Sequence, residues 1–230
     1  MTIAENVALV RGNMDRAARA AGRDPKEILL LAATKMNDAD RVRQAIAAGV
    51  DLCGENRVQE MLEKHAQGAY EGVPLHFIGH LQKNKVKQVV GLAELIHGVD
   101  SRELLSLISR VAESRGLTQD LLLEVNIGRE SAKSGFAPEE IPEALAWAAA
   151  LPAIRVRGLM AIPPICSAPE ENRPFFLRMQ QLFIDNSEKK YDNIRMDFLS
   201  MGMSGDYTEA IACGANLVRV GSGIFGPRQY

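Results

Sequence analysis

The chain has 230 residues, 47% of them hydrophobic and 24% charged, which marks an ordinary globular protein with length for one large α/β domain or two small ones. A formal net charge of −2 leaves no basic footprint for nucleic acid, and no apolar run approaches the ~20 residues of a membrane-crossing helix. Three cysteines (Cys53, Cys166, Cys213) form no C-x-x-C pair, and with no signal-like N-terminus they read as buried thiols in a reducing cytoplasm.

Residues 3–21 carry Ile3, Val7, Val10, Met14 and Ala18 at helical spacing, which predicts an amphipathic opening helix. The apolar run Ile28-Leu29-Leu30-Leu31-Ala32-Ala33-Thr34-Lys35 follows. It reads as a strand buried on both faces, with one lysine at its carboxyl end. Asp38 or Asp40 caps a helix through Ile46 that stops near Gly49. Residues 50–54 form a second strand, and Glu55 starts a helix running to about His65. Leu75 to Gly79 is strand three, Lys83 to Val90 a basic helix, and Leu95 to Val99 strand four, followed by a helix capped by Ser101. Leu121 to Asn126 is strand five, Pro138 to Ala150 a helix, Ile154 to Ile162 strand six and Pro174 to Glu188 a helix. Phe198 to Ser200 ends strand seven, Tyr207 to Ala212 is a short helix, and Asn216 to Val220 is strand eight.

Eight strands alternating with helices, without a linker or repeat, predict an α/β fold: a single (β/α)8 barrel spanning 1–230. A doubly wound open sheet is the alternative, because alternation alone does not show closure.

A barrel places its ligands at the carboxyl ends of its strands. Those ends carry Lys35, Asn56, Gly79-His80-Leu81-Gln82, Asp100-Ser101, Asn126 with Lys133, Ser200-Met201-Gly202-Met203-Ser204 and Arg219-Val220-Gly221-Ser222-Gly223. A partly desolvated Lys35 can attack a carbonyl carbon to form a Schiff base; otherwise it is a solvated residue that ends a strand. Ser200, Ser204, Gly221 and Ser222 make a phosphate corner, two hydroxyl-bearing loops beside glycines that admit the backbone. Glycines there that only serve tight turns are the bland alternative. Arg219, inside an apolar strand, either reaches the lumen to donate to an acceptor such as a pyridine nitrogen or pairs with a strand-end carboxylate.

Gly221-Ser222-Gly223-Ile224-Phe225-Gly226 matches G-x-G-x-x-G, but the chain stops at Tyr230 with no following βαβ unit, so it is no dinucleotide fingerprint. The four histidines lack zincin spacing and read as structural, with only His80 on the rim; no G-x-S-x-G elbow exists.

Taken together, Ala33-Thr34-Lys35, Gly54-Glu55-Asn56-Arg57-Val58-Gln59-Glu60, His76 to Lys85, Val125-Asn126-Ile127 with Lys133-Ser134-Gly135, Arg157-Gly158-Leu159-Met160, Leu199 to Ser204 and Arg219 to Gly226 resemble the pyridoxal-phosphate homeostasis proteins over nearly the whole chain. That family usually has serine before the lysine and threonine after the phosphate-loop glycine; Thr34 and Ser222 keep the hydroxyls.

The resemblance implies a barrel like the N-terminal domain of alanine racemase, pyridoxal-phosphate fold type III. By it, Lys35 holds pyridoxal 5′-phosphate as a Schiff base, Arg219 faces the ring nitrogen, and Ser200, Ser204, Gly221 and Ser222 hold the phosphate, with Asn56 near the ring. It also implies a cytoplasmic monomer acting in vitamin B6 and amino-acid homeostasis without established catalysis. The expected partners are the cofactor itself and apo-enzymes that accept it, with no nucleic acid, membrane or metal. A pyridoxal-phosphate-dependent amino-acid racemase is the runner-up, and a Schiff-base aldolase that holds a sugar phosphate in the serine cup is the third reading.

Overall fold

The apolar runs form eight parallel strands that pair in chain order, and the last closes back onto the first. This is the structure of a closed barrel, seen in a computed structural model that describes residues 1–188 and 191–227. The 1–230 span read as one domain therefore runs past the described residues at 189–190 and 228–230. The elements are α1 (Ile3–Ala20), β1 (Leu29–Ala33), α2 (Ala39–Ala47), β2 (Leu52–Glu55), α3 (Val58–Ala66), β3 (Leu75–Phe77), α4 (Val86–Val89), β4 (Leu95–Val99) and α5 (Arg102–Ser114). They continue as β5 (Gln119–Val125), α6 (Ile141–Ala149), β6 (Ile154–Ala161), α7 (Arg173–Ser187), β7 (Ile194–Met203), α8 (Tyr207–Ala212), β8 (Leu217–Val220) and α9 (Ser222–Phe225).

The strands read as unbroken apolar runs because both of their faces are covered. Leu30, Ala32, Cys53, Phe77, Ile96, Leu121, Leu123 and Val218 face outward into the layer shared with the helices. Their neighbours Leu31, Ala33, Leu52, Ile78 and Leu217, with Leu95, Leu122 and Met160, fill the lumen in two clusters. Each fully buried leucine contributes about 1.5–3 kcal/mol. The helices begin where the sequence offers caps. Thr2 and Glu5 form a reciprocal capping box on α1, Asp38 accepts from Arg41 N–H at α2, and Ser101 accepts from Leu104 N–H at α5.

Among the boundaries that differ from the sequence reading, two bear on the site. Glu55 does not start a helix; it ends β2, paired with Phe77, and its carboxylate is wholly buried. Strand seven is longer than its apolar end suggests and runs on through Ser200 to Met203, which puts Ser200 inside the sheet. At the rim, a Cβ on Gly79 would stand 2.2 Å from the Asn56 carbonyl oxygen, so only glycine lets the ends of β2 and β3 approach this closely.

Candidate functional site

The carboxyl ends of β1, β7 and β8 surround a cavity of about 600 Å³ lined by Lys35, Arg41, Ser204, Arg219, Gly221 and Ser222, among others. Lys35 lies two residues past the end of β1, half-buried at the mouth. Thr34, fully buried, anchors the step before it by donating its N–H to the Gly54 carbonyl and its hydroxyl to Glu55 Oε1 at 2.6 Å.

Arg219 reaches the lumen. Among the described residues it forms no ion pair with a carboxylate. Its Nη1 donates to Ser200 Oγ at 2.6 Å and its Nη2 to the Ala161 carbonyl at 2.9 Å. Burial pushes its pKa down to about 10, partly offset by Asp206 and Glu124, so it is cationic at neutral pH. Behind it runs a buried polar chain. Ser200 Oγ lies 3.1 Å from His97 Nδ1, and His97 Nε2 lies 2.9 Å from His76 Nδ1. Arginine only donates, so the Ser200 hydroxyl hydrogen is free to go to His97 Nδ1, which makes both imidazoles neutral Nε2–H tautomers. Burial favours the same state: it brings the His76 pKa down to about 3 and holds that of His97 well below the usual imidazole range, where His76 and Arg219 depress it further.

The glycine corner is built around one hydroxyl. Ser204 Oγ accepts from the N–H groups of Gly221 and Gly223, each at 3.1 Å, which fixes the turn from β8 into α9. Its hydroxyl hydrogen and that of Ser222 are then donors at the cavity wall. The loop carrying Ser204 is itself pinned, because Asp206 accepts from Met203 N–H at 2.6 Å and from Asn172 Nδ2 at 2.8 Å.

A second cavity of about 470 Å³ lies over β2, β3, β5 and β6, lined by Asn56, His80, Glu124, Lys133 and Ser134 among others. Asn56 Oδ1 is buried there with no hydrogen-bond partner among the described residues. His80 Nδ1 sits 3.0 Å from Asp100 Oδ2. Burial, and then the Asp100 charge, raise the Glu124 pKa.

The expected residues therefore fall into three groups. Lys35, Ser204, Arg219, Gly221 and Ser222 meet in one cavity. Asn56 lines the neighbouring one. Ser200, expected at the phosphate, is instead fully buried beneath the cavity with its oxygen engaged by Arg219 and His97, because β7 carries it into the lumen. The sequence reading also took His76 and His97 as isolated core residues and gave no role to Glu124. The signal for the histidines was parity: each alternates with outward-facing apolar neighbours on its strand, so both must enter the lumen.

A primary amine, a buried guanidinium and two hydroxyl donors around one cavity form a set that fits a phosphorylated carbonyl compound with a hydrogen-bond-accepting ring. Comparison with known proteins gives that set a context. Residues 6–229 match the family described as alanine racemase, N-terminal domain. The pyridoxal phosphate homeostasis protein of Aquifex aeolicus is 39% identical over 230 residues, covering all of both chains. That of Pseudomonas aeruginosa is 41% identical over 232 residues, covering all of this chain and 97% of the other. The structure of PipY from Synechococcus elongatus with pyridoxal phosphate bound superposes with a TM-score of 0.84 at 31% identity, covering 98% of this chain and 100% of that one.

Proposed function

Because the chain belongs to the pyridoxal phosphate homeostasis protein family, built on the barrel of the alanine racemase N-terminal domain, we propose that it binds pyridoxal 5′-phosphate through Lys35 and serves as a carrier and regulator of that cofactor. The observation that carries the proposal is the single cavity in which Lys35, Arg219, Ser204 and Ser222 converge. Bound pyridoxal phosphate supplies an aldehyde that amines capture reversibly and a ring that can draw electrons from an attached carbon. The Lys35 amine is the covalent anchor. Ser204 and Ser222 donate to the phosphate, beside Gly221, whose lack of a side chain keeps the wall open. The buried Arg219 fork would donate to the ring nitrogen, held in place by Ser200, which His97 holds in turn. Asn56, in the adjoining cavity, would lie near the ring.

A cation at the ring nitrogen disfavours a second proton there and weakens the ring as an electron sink. That supports a carrier over an amino-acid racemase. Among the described residues no helix is long and apolar enough to cross a membrane. The proposal includes a monomer acting in the cytoplasm, with apo-enzymes that accept the cofactor as partners.

Two experiments test this reading. The cofactor-loaded protein is expected to exchange no α-proton of alanine or serine in deuterated solvent beyond the rate given by free cofactor; faster exchange would favour the racemase. Ser204→Ala is expected to weaken binding of pyridoxine 5′-phosphate, which lacks the aldehyde, by about 1–3 kcal/mol, the scale of a hydrogen bond to a charged group. Unchanged affinity would place the phosphate elsewhere. Ser200→Ala is expected to act through Arg219 rather than through the phosphate.

A further inference from the structure

The stretch Gly54 to Glu60 and the helix it enters carry charge that the cofactor site does not use. Glu55 is wholly buried, and its Oε1 accepts from Lys64 Nζ at 2.5 Å, Thr34 Oγ1 at 2.6 Å and Tyr70 Oη at 3.0 Å. Its Oε2 has no partner among the described residues. A buried ion pair of this kind is weak evidence for stability, since its desolvation can outweigh its attraction. Its placement is the informative part.

The ladder between β1 and β2 ends at Ala33 opposite Gly54, with a last bond from Thr34 N–H. Groups from α3 take over at that point. Lys64 Nζ donates to the Thr34 carbonyl at 2.8 Å, on the peptide group that leads into Lys35. Glu60 Oε2 accepts from Met36 N–H at 2.7 Å, on the peptide group that leaves it. Glu60 and Lys64, four apart on α3, lie 3.6 Å from each other. Immediately after the second of these peptide groups the backbone takes a conformation that side chains rarely adopt: Met36 has φ +61° although it is not glycine and is half-exposed. A strained residue beside a reactive one persists only where its surroundings enforce it. The Asn37 amide closes the arrangement by donating to the Lys35 carbonyl at 2.9 Å.

We infer that Glu60 and Lys64 are positioning residues for Lys35, gripping the peptide groups on either side of it so that its amine is aimed at the cofactor aldehyde. The inference rests on the proposed cofactor reading and assigns to α3 a task within it. The step they serve replaces the aldehyde C=O with a C=N double bond to Lys35 Nζ, and the oxygen leaves as water with the two protons of the neutral amine. Misplacing an attacking group by an ångström slows such a step by one to two orders of magnitude without weakening the rest of the site.

The experiment measures two quantities for each variant: the rate of covalent attachment at Lys35, by absorbance and borohydride trapping, and the affinity for pyridoxine 5′-phosphate, which cannot attach. Glu60→Ala is expected to slow attachment on the order of tenfold or more and to leave that affinity unchanged. Glu60→Gln, whose amide oxygen can still accept from Met36 N–H, is expected to restore most of the rate. Met36 is half-exposed, so its variants do not disturb the core. Met36→Gly, which adopts a positive φ freely, is expected to attach at the wild-type rate, and Met36→Val to attach slowly. Attachment by Glu60→Ala at the wild-type rate, or an equal loss of attachment and affinity, would overturn the inference alone. A wild-type chain that places no cofactor on Lys35 would overturn the cofactor reading and this inference with it.

Discussion

Lys35→Ala is expected to abolish covalent retention of pyridoxal phosphate while leaving the barrel folded. The substitution takes an amine from the wall of an open cavity, not a side chain from the core; Lys35 is half-buried at the mouth, whereas Thr34 before it is fully buried. The backbone at this point is held by neighbours whose bonds do not involve the lysine side chain, namely Thr34 hydroxyl to Glu55, Lys64 to the Thr34 carbonyl and Glu60 to Met36 N–H. Alanine accepts the same backbone. Surface-type losses of this kind are within about 0.5 kcal/mol. Ser204, Ser222 and Arg219 remain in place, so the variant should still hold the cofactor reversibly and lose it on dialysis. Gel filtration and thermal unfolding check the fold, and mass analysis after borohydride checks attachment. A phosphopyridoxyl adduct surviving in Lys35→Ala would place the anchor on another lysine.

Acid should unfold this protein steeply because of two imidazoles buried in the lumen. His76 and His97 are buried in the lumen as neutral bases, with pKa values lowered by burial, that of His76 to about 3. A base whose folded pKa lies below its unfolded value near 6.5 leaves the unfolded chain binding more protons, so stability falls as pH falls. The window opens near pH 6.5 and extends toward pH 3. A fully differential proton on each histidine corresponds to about 1.4 kcal/mol per pH unit, so the pair sets an upper slope of about 3 kcal/mol per pH unit. Glu124, whose pKa is raised, works in the opposite sense and offsets part of this loss. Denaturant midpoints at pH 7.5 and pH 5 measure the slope. His97→Gln is expected to flatten it by about half; a wild-type protein equally stable at both pH values would contradict neutral burial of the pair.

The barrel was legible because parallel strands covered on both faces must be written as short apolar runs, and each strand shows such a run over at least part of its length. What escaped was parity and length. Strand seven begins in Ile194-Arg195-Met196-Asp197, whose mixed character hides it, so Ser200 reads as a rim residue when it lies three positions inside β7. Glu55 reads as a helix start because acidic residues favour first turns, yet tertiary context makes it the last residue of β2. That Lys35, Arg219 and the Ser204 corner share one cavity was legible because their polarity interrupts strand ends on one rim. The roles of Glu60 and Lys64 were not, since their partners are backbone groups of a segment more than twenty residues earlier in the chain. The left-handed Met36 has no sequence signature at all, because a methionine gives no warning of a positive φ.

The most direct test of the central claim is the visible absorption spectrum of the purified protein with pyridoxal phosphate, followed by borohydride reduction and peptide mass mapping. The expected result is a yellow protein whose reduced adduct lies on the peptide containing Lys35. A protein that takes up no cofactor, or carries it solely on another lysine, would contradict the claim and bring forward the aldolase reading, in which Lys35 attacks a sugar phosphate carbonyl.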